Sequence, residues 1–340
     1  MTKTLTISVI IPTNNSACTL EQCLSSLRAQ DYPQDKIEIL LIDGGSTDST
    51  KEIGAKYNCT FIEGKYKNNP EPRKGVGLLK AKGKLVLYVD SDNILPNNQW
   101  LNQMLKPFFD DPMIVGTQTY RYGIKDNFSA YNRYCALLGA NDPVAFYLKK
   151  NEKISWLYDK WTNTPISKET TDYITINFTN DNLPTLGGNG FLVKRAILLK
   201  AQCEPDKFFH IDVILDIVNQ GYVRYALVKN EIFHDTASKL SDLINRRRNY
   251  FKIHNPKNTN RRYFIFSPHK VTDVIRLFMF IFFTVTLIQP VIFSIRGYLK
   301  KPDKAWFLHP LVCWSFLWAY AASTLELDSD FVFKKLKSWF

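Results

Sequence analysis

Two carboxylates close an apolar run. Residues 84–89 read Lys-Leu-Val-Leu-Tyr-Val, and Asp90-Ser91-Asp92 follow at once. Side chains alternate along an extended chain, so continued strand geometry would turn Asp90 and Asp92 to one side. Two hard oxygen ligands at a strand end suit Mg2+ or Mn2+ that keeps positions open for phosphate oxygens. A second run, residues 39–50, reads Ile-Leu-Leu-Ile-Asp-Gly-Gly-Ser-Thr-Asp-Ser-Thr. There Asp43 stands at the end of another apolar segment, where it can accept hydrogen bonds from a nucleobase or ribose. Ser46 or Asp48 can cap the helix that follows.

Such residues need a frame. Residues 6–11 form a β-branched run ending at Pro12, the pattern of a strand buried on both faces of a parallel sheet, and 37–42 reads as a second buried strand. Residues 16–30 place Leu20, Cys23, Leu24 and Leu27 at helical spacing. Short strands are expected at 60–63 and 84–89, a helix from Thr47, and regular structure again at 191–200, 211–220 and 225–233. The βαβαβ order predicts an open α/β sheet, in which ligands bind beyond the carboxyl ends of the strands. That places the chemistry just after Ile11, Ile42 and Val89. Residues 140–186, rich in Tyr, Trp, Asn and Lys, show weak periodicity and read as an insertion on the acceptor side.

The 340 residues carry a net charge of +12, with 45% apolar and 22% charged residues. This composition excludes a disordered chain, a collagen-like repeat and a coiled coil. The six cysteines are dispersed and form no zinc spacing, so they read as buried free thiols in a reducing compartment. The amino-terminal apolar run stops at Pro12, too early for a signal-peptide core. The surplus charge concentrates between Arg246 and Arg276, where Asp273 is the only acid. Two uncharged apolar blocks follow, 19 residues at 277–295 and 21 at 305–325. Each is long enough as a helix for a hydrocarbon core of about 30 Å. Gln289-Pro290 should kink the first, and His309-Pro310 the start of the second. Arg296, Lys300, Lys301 and Lys304 lie between them, which runs against the positive-inside tendency if both blocks span. The blocks therefore read either as two transmembrane helices or as a re-entrant hairpin. Basic residues beside apolar blocks favour anionic membrane lipids over nucleic acid. A dinucleotide-dependent oxidoreductase is disfavoured, because no GxGxxG follows the first strand.

Residues 8–15 (Ser-Val-Ile-Ile-Pro-Thr-Asn-Asn), the stretch 43–50 and Asp90-Ser91-Asp92 occur in an order and spacing that resemble the family 2 glycosyltransferases of GT-A fold. Residues 187–195, Gly-Gly-Asn-Gly-Phe-Leu-Val-Lys-Arg, are similar to that family's acceptor-side glycine loop. The resemblance covers roughly residues 5–235. It implies a nucleotide-diphosphate sugar donor, inversion at the anomeric carbon and a divalent metal. It also implies that Pro12, Asn15 and Asp43 line the nucleoside pocket, and that Lys74 lies near the nucleotide. Asp90 would face ribose and metal, Asp92 would bind metal, and His234 would complete the metal site. Gly187, Gly188, Asn189 and Gly190 would form the acceptor-side loop. The family's usual base belongs to a Glu-Asp pair before a helix. Here that region reads Phe208-Phe209-His210-Ile211-Asp212, so the base is expected at Asp212, with His210 the runner-up. Asn14 replaces an aromatic residue, and residues 245–249 lack the Gln and Trp of processive synthases, which favours transfer of one sugar.

The expected architecture is a GT-A domain over 1–235, including the insertion at 140–186, and a basic juxtamembrane connector over 236–270. Two transmembrane or re-entrant helices over 271–325 and a tail over 326–340 complete it. The expected function is metal-dependent transfer to a lipid-linked, polyprenyl-phosphate or other membrane-proximal acceptor, at the cytoplasmic side of the cell membrane. The alternative is a catalytically impaired nucleotide-sugar-binding or membrane scaffold protein.

Overall fold

A computed structural model describes residues 4–161, 163–235, 240–253 and 261–337. The β-branched run after Thr6 forms β1 (Ile7–Thr13), buried at every position. It pairs in parallel with β2 (Ile37–Asp43) and, on its other edge, with β4 (Leu85–Tyr88). The outer parallel strand is β3 (Thr60–Glu63). Beyond β4 the sheet becomes mixed. β9 (Phe191–Lys194) runs antiparallel between β4 and β6 (Gly116–Tyr122). β10 (Arg224–His234) lies parallel to β6, and β8 (Tyr173–Asn177) and β7 (Ile166–Glu169) finish the edge. The strand order is β3-β2-β1-β4-β9-β6-β10-β8-β7. The two-residue β5 (Asn93–Ile94) pairs off this path with the end of β10.

Alternation along β1 sends Val9 and Ile11 to one face and Ile10 to the other. The first face packs α1 (Ala17–Arg28) and, after α2 (Thr50–Lys56), α4 (Trp100–Asp110). The second packs α3 (Pro70–Lys80) and α8 (His210–Asn219). The strands expected at 6–11, 37–42, 60–63 and 84–89 all form. The weakly periodic stretch 140–186 contributes β7 and β8, so it extends the sheet. The described cysteines are free, and two depart from the expected burial: Cys18 is exposed and Cys59 half-buried, whereas Cys23, Cys135, Cys203 and Cys313 are buried.

The helix α3 has no counterpart among the expected elements. Its sequence, Pro-Glu-Pro-Arg-Lys-Gly-Val-Gly-Leu-Leu-Lys, carries two prolines and two glycines and reads as loop. The helix starts because the Asn69 side chain accepts from the Glu71 amide and proline occupies the first turn. Its glycines permit close approach. A side chain at Gly77 would meet Ile10 of β1, and one at Gly75 would meet the Phe208 ring.

Toward the carboxyl end, α5 (Ala130–Leu138) and α6 (Pro143–Tyr147) build a third core, chiefly with residues 305–316. Between them and the last helices the chain runs through the short α7 (Arg195–Leu198) and α9 (Leu240–Ile253). Of the expected connector, residues 236–239 and 254–260 lie outside the described residues, as do 338–340 of the expected tail. The first apolar block is two helices, α10 (Val271–Thr286) and α11 (Ile288–Lys300), which meet at 86°. The break falls at Leu287, whose φ of 59° is left-handed, three residues before Pro290. The second block forms a short 3-10 turn over residues 304–308 and then α12 (His309–Lys337). The expectation of two spanning helices is thus not met: among the described residues no single helix is long and apolar enough to cross a membrane. Only the bent pair passes by length and composition. The basic segment between the blocks returns to the sheet domain. Lys300 Nζ lies 2.9 Å from Asp159, Lys301 sits 4.5 Å over the Trp156 ring, and Asp303 pairs with Arg133 at 2.9 Å.

Candidate active site

The site gathers at the carboxyl ends of β1, β2 and β4. β4 stops at Tyr88, so Asp90 and Asp92 lie in a turn rather than on a continued strand. The turn is pinned by the Asn93 side chain, which accepts from the Asp90 amide at 3.0 Å. Pairing of Asn93 with His234 across β5 and β10 then carries the histidine to the aspartates. Ligand atoms of Asp90, Asp92 and His234 all fall within 4.8 Å of one another. Asp92 Oδ1 is buried and accepts no hydrogen bond, although His234 Nε2 is 3.3 Å away. A buried carboxylate oxygen left unpaired costs free energy unless a cation meets it. Burial opposes charging of His234, yet Asp92, Asp90 and Glu152 hold its pKa above the ordinary value. Two carboxylates, an imidazole and surplus negative charge fit a divalent ion such as Mg2+ or Mn2+.

Behind this cluster, Lys74 of α3 is 3% exposed. Its ammonium lies 3.3 Å from Asp90 and 3.6 Å from Glu71. Burial works against its charge, but those two carboxylates raise its pKa, so it stays protonated. Glu71 in turn reaches α8. Its Oε2 accepts from the His210 amide at 2.9 Å and lies 2.8 Å from His210 Nδ1.

The glycine loop faces them. Gly187 and Gly190 adopt φ of 106° and 71°, which let the chain turn tightly into β9. Asn189 is held from three directions. Its amide and side chain donate to Glu152 at 3.2 Å, its side chain also donates to the Tyr122 hydroxyl at 2.9 Å, and its carbonyl accepts from Lys153 at 2.7 Å. Tyr122 donates to Glu152 at 2.7 Å. Burial would raise the Glu152 pKa, but Lys153, the Tyr122 hydrogen bond and the two histidines hold it below the usual range. A methyl group added to Gly188 would sit 3.6 Å from Glu152 Oε1 and 4.0 Å from His210 Nε2.

The expected nucleoside residues also meet, but as turn builders. Asp43 is 2% exposed, and its oxygens accept from Thr13 at 2.9 Å, from the amides of Gly45 and Ser46 at 2.8 and 2.7 Å, and from the Ser46 hydroxyl at 2.5 Å. Burial raises its pKa, and these hydrogen bonds more than offset it. Pro12 is buried in β1, opposite Ile42. Asn15 accepts from the Thr47 amide at 2.8 Å and so ties the first loop to the second. Asp48 does the same, accepting from Ala17 at 3.0 Å and Thr50 at 3.1 Å. Asp43 thus has little oxygen left for a ligand.

Asp212 requires a correction. The expected base is 1% exposed. Arg261 holds both its oxygens, at 2.9 and 3.1 Å, and the amides of Arg262 and Tyr263 add contacts of 3.2 and 3.0 Å. Its lone pairs are committed to fastening residues 261–263 onto α8, and none is left to take an acceptor proton. His210, two residues earlier, is 19% exposed at its side chain and faces the glycine loop. Sequence reasoning passed over Glu71, Tyr122, Glu152 and Lys153. Only Glu71 carried a readable signal, the Asn-Pro-Glu start of a helix.

The pattern of glycosyl transferase family 2 matches residues 8–198. The chain belongs to that family, and its mixed α/β sheet is the GT-A fold expected of it. Glycosyltransferase AglE of Haloferax volcanii is 34% identical over 110 residues, 30% of this chain and 36% of that protein. The GalNAc(5)-diNAcBac-PP-undecaprenol beta-1,3-glucosyltransferase of Campylobacter jejuni is 34% identical over 98 residues, 26% of this chain and 30% of that one. The chain thus matches about a third of the length of these curated relatives. Among solved structures, the mannosyltransferase PcManGT of Pyrobaculum calidifontis, in complex with GDP-Man and Mn2+, shares the fold. Its TM-score is 0.52 at 14% identity, over 96% of this chain and 88% of the other.

Proposed function

We propose that this glycosyltransferase moves one sugar, with inversion, from a nucleotide-diphosphate sugar to a lipid-linked or other membrane-proximal acceptor, in a reaction that depends on Mg2+ or Mn2+. The observation that carries the reading is the convergence of Asp90, Asp92 and His234 beside Lys74. A divalent ion held there supplies charge to offset the negative charge that builds on the leaving diphosphate. Lys74 keeps Asp90 in place, and Pro12, Asn15 and Asp43 border the nucleoside. The loop Gly187–Gly190 borders the acceptor. His210 takes the acceptor proton: the acceptor O–H bond breaks as the N–H bond forms at Nε2. The freed oxygen pair bonds to the anomeric carbon, and the bond from that carbon to the phosphate oxygen leaves with its electrons.

The membrane part of the proposal rests on α10–α12. Val271, Phe278, Ile288, Leu299, Phe307, Leu311 and Trp318 expose between 52% and 76% of their surface. Arg296, Lys300 and Lys304 lie exposed beside them. An apolar face rimmed by cations suits an anionic lipid surface. The Campylobacter relative, by its name, concerns an undecaprenol-linked substrate, which agrees with a lipid-linked acceptor. The proposed location is the cytoplasmic side of the cell membrane.

The test is donor turnover by the full chain in lipid nanodiscs, with a panel of nucleotide sugars and Mn2+ or Mg2+. Nucleoside diphosphate should be released with one donor, stop on chelation, and fall at least about 100-fold in Asp92→Ala. Donor binding without release under any of these conditions would turn the reading to a scaffold.

A further inference from the structure

Glu71, which the transfer reaction as written does not use, links two groups that it does use, His210 and Lys74. His210 is the first residue of α8, and its helix has no side-chain cap of its own. Glu71, from α3, supplies both contacts instead. One carboxylate oxygen, Oε2, accepts from the His210 backbone amide at 2.9 Å and lies 2.8 Å from Nδ1. The other, Oε1, lies 3.6 Å from the Lys74 ammonium. The Glu71 side chain is 4% exposed. Burial alone would favour its neutral form, but His210 and Lys74 hold its pKa well below the carboxylate range.

An ionised carboxylate can only accept. The proton shared across the 2.8 Å contact therefore belongs to Nδ1, and the lone pair of a neutral ring is on Nε2. That atom has no hydrogen-bond partner among the described residues. It looks onto the space above Gly188, 4.0 Å from where a β-carbon would lie there. The contact between α3 and the start of α8 is fixed by shape, since Gly75 leaves just the room that the Phe208 ring fills. On the far side of Glu71, Lys74 reaches Asp90 at 3.3 Å.

We infer that Glu71 is the positioning residue of the transfer: it holds His210 in the Nδ1–H form, with Nε2 turned to the acceptor hydroxyl over Gly188. The inference rests on the reading of His210 as the base. When Nε2 takes the acceptor proton the ring becomes an imidazolium, and the Glu71 carboxylate stabilises the charge that forms; no proton passes to Glu71. The charged groups around the ring are Glu71 and Lys74 from α3, Glu152 across the glycine loop, and Asp212 with its partner Arg261, whose guanidinium lies 3.5 Å over the neighbouring Phe209 ring. Glu71 alone among them contacts a ring nitrogen.

The experiment joins a spectrum to a rate. In the full chain labelled with 15N-histidine, with His210 assigned by His210→Asn, the neutral ring should be the Nδ1–H tautomer. A wild-type ring in the Nε2–H form would overturn the inference outright, whatever the variants do. In Glu71→Gln and Glu71→Ala the tautomer preference should weaken. Release of nucleoside diphosphate from the active donor, with water as acceptor, should fall at least about tenfold in kcat, with donor KM within about twofold. Glu71→Asp should recover part of the rate. Unchanged tautomer and kcat in Glu71→Gln, with His210→Asn inactive, would sink the role of Glu71 and leave the base in place. Full activity of His210→Asn would sink the base itself.

Discussion

Lys153 shows how much a single residue can be asked to bear. Its side chain is fully buried beneath the glycine loop, where the ammonium donates to the Asn189 carbonyl at 2.7 Å. Burial pushes its pKa down from 10.5 to about 7, and Glu152 offsets only part of that. The sign of the linkage follows. Below about pH 7 the folded and unfolded chains both hold this proton, and above 10.5 neither does. Between those limits the unfolded chain binds more protons, so the Lys153 contribution to stability rises with pH. Denaturant unfolding of wild type and Lys153→Met at several pH values should show it. The difference, wild type minus variant, should climb from about pH 7 to 9.5 with a slope of up to about 1.4 kcal/mol per unit. Parallel curves would mean that Lys153 titrates in the folded chain as it does in the unfolded one. Asp212 teaches the opposite lesson at this scale: an acid at the start of a helix in the right region is committed to Arg261, and its neighbour two positions earlier is the residue with a free atom.

At the scale of elements, the site is made where loops and helix starts meet, and glycines set the distances. Gly75 and Gly77 let α3 close on Phe208 and β1, which brings Glu71 and Lys74 to His210 and Asp90. Gly188 has a different part. Its backbone needs no unusual φ, and a methyl group there would make only ordinary contacts. Gly188→Ala should therefore fold with stability unchanged or raised by up to about 1 kcal/mol. Yet the methyl would occupy the space between Nε2 of His210 and Glu152, where the acceptor hydroxyl is proposed to lie. Steady-state kinetics should show a drop of about tenfold or more in kcat/KM for the acceptor, with donor KM unchanged. Wild-type kinetics in this variant would move the acceptor away from Gly188.

At the scale of the whole molecule, the bent pair resolves a charge pattern that two spanning helices leave awkward. Residues 296–304 do not stand apart on a far side: Lys300, Lys301 and Asp303 return to Asp159, Trp156 and Arg133. At 1.5 Å per residue the straight limbs are about 24 and 20 Å long, short of a core of about 30 Å. On the proposed membrane reading, both limbs then sit within one leaflet and the catalytic domain shares a side with the 296–304 segment. The chain added outside sealed vesicles with anionic lipid should float with them, and Phe278→Asp with Phe282→Asp should weaken flotation by about tenfold or more. A cysteine placed at Lys304 should react with an impermeant reagent added on the outside. Protection of that cysteine would show that the pair crosses.

The frame was legible in the residues. Runs that are mostly apolar and β-branched have few places to go except the middle of a sheet, so β1, β2 and β4 were legible, and so was the location of chemistry at their carboxyl ends. Asp90 and Asp92 were named from residue types and order, and His234, Lys74 and the glycine loop from the family resemblance; Asp90, Asp92, His234 and Lys74 come together in the fold. Which polar groups are spent on one another depends on contacts between distant segments. A carboxylate looks the same in a sequence whether it meets an arginine, as Asp212 does, or a histidine ring, as Glu71 does. The helix bearing Glu71 was hidden because its glycines and prolines oppose helix formation locally. Packing against β1 and Phe208 outweighs that local preference, and the gain appears only when elements far apart in the chain are in contact. The 86° turn at Leu287 is of the same kind: Pro290 signals a break, but its angle is set by what the two helices pack against.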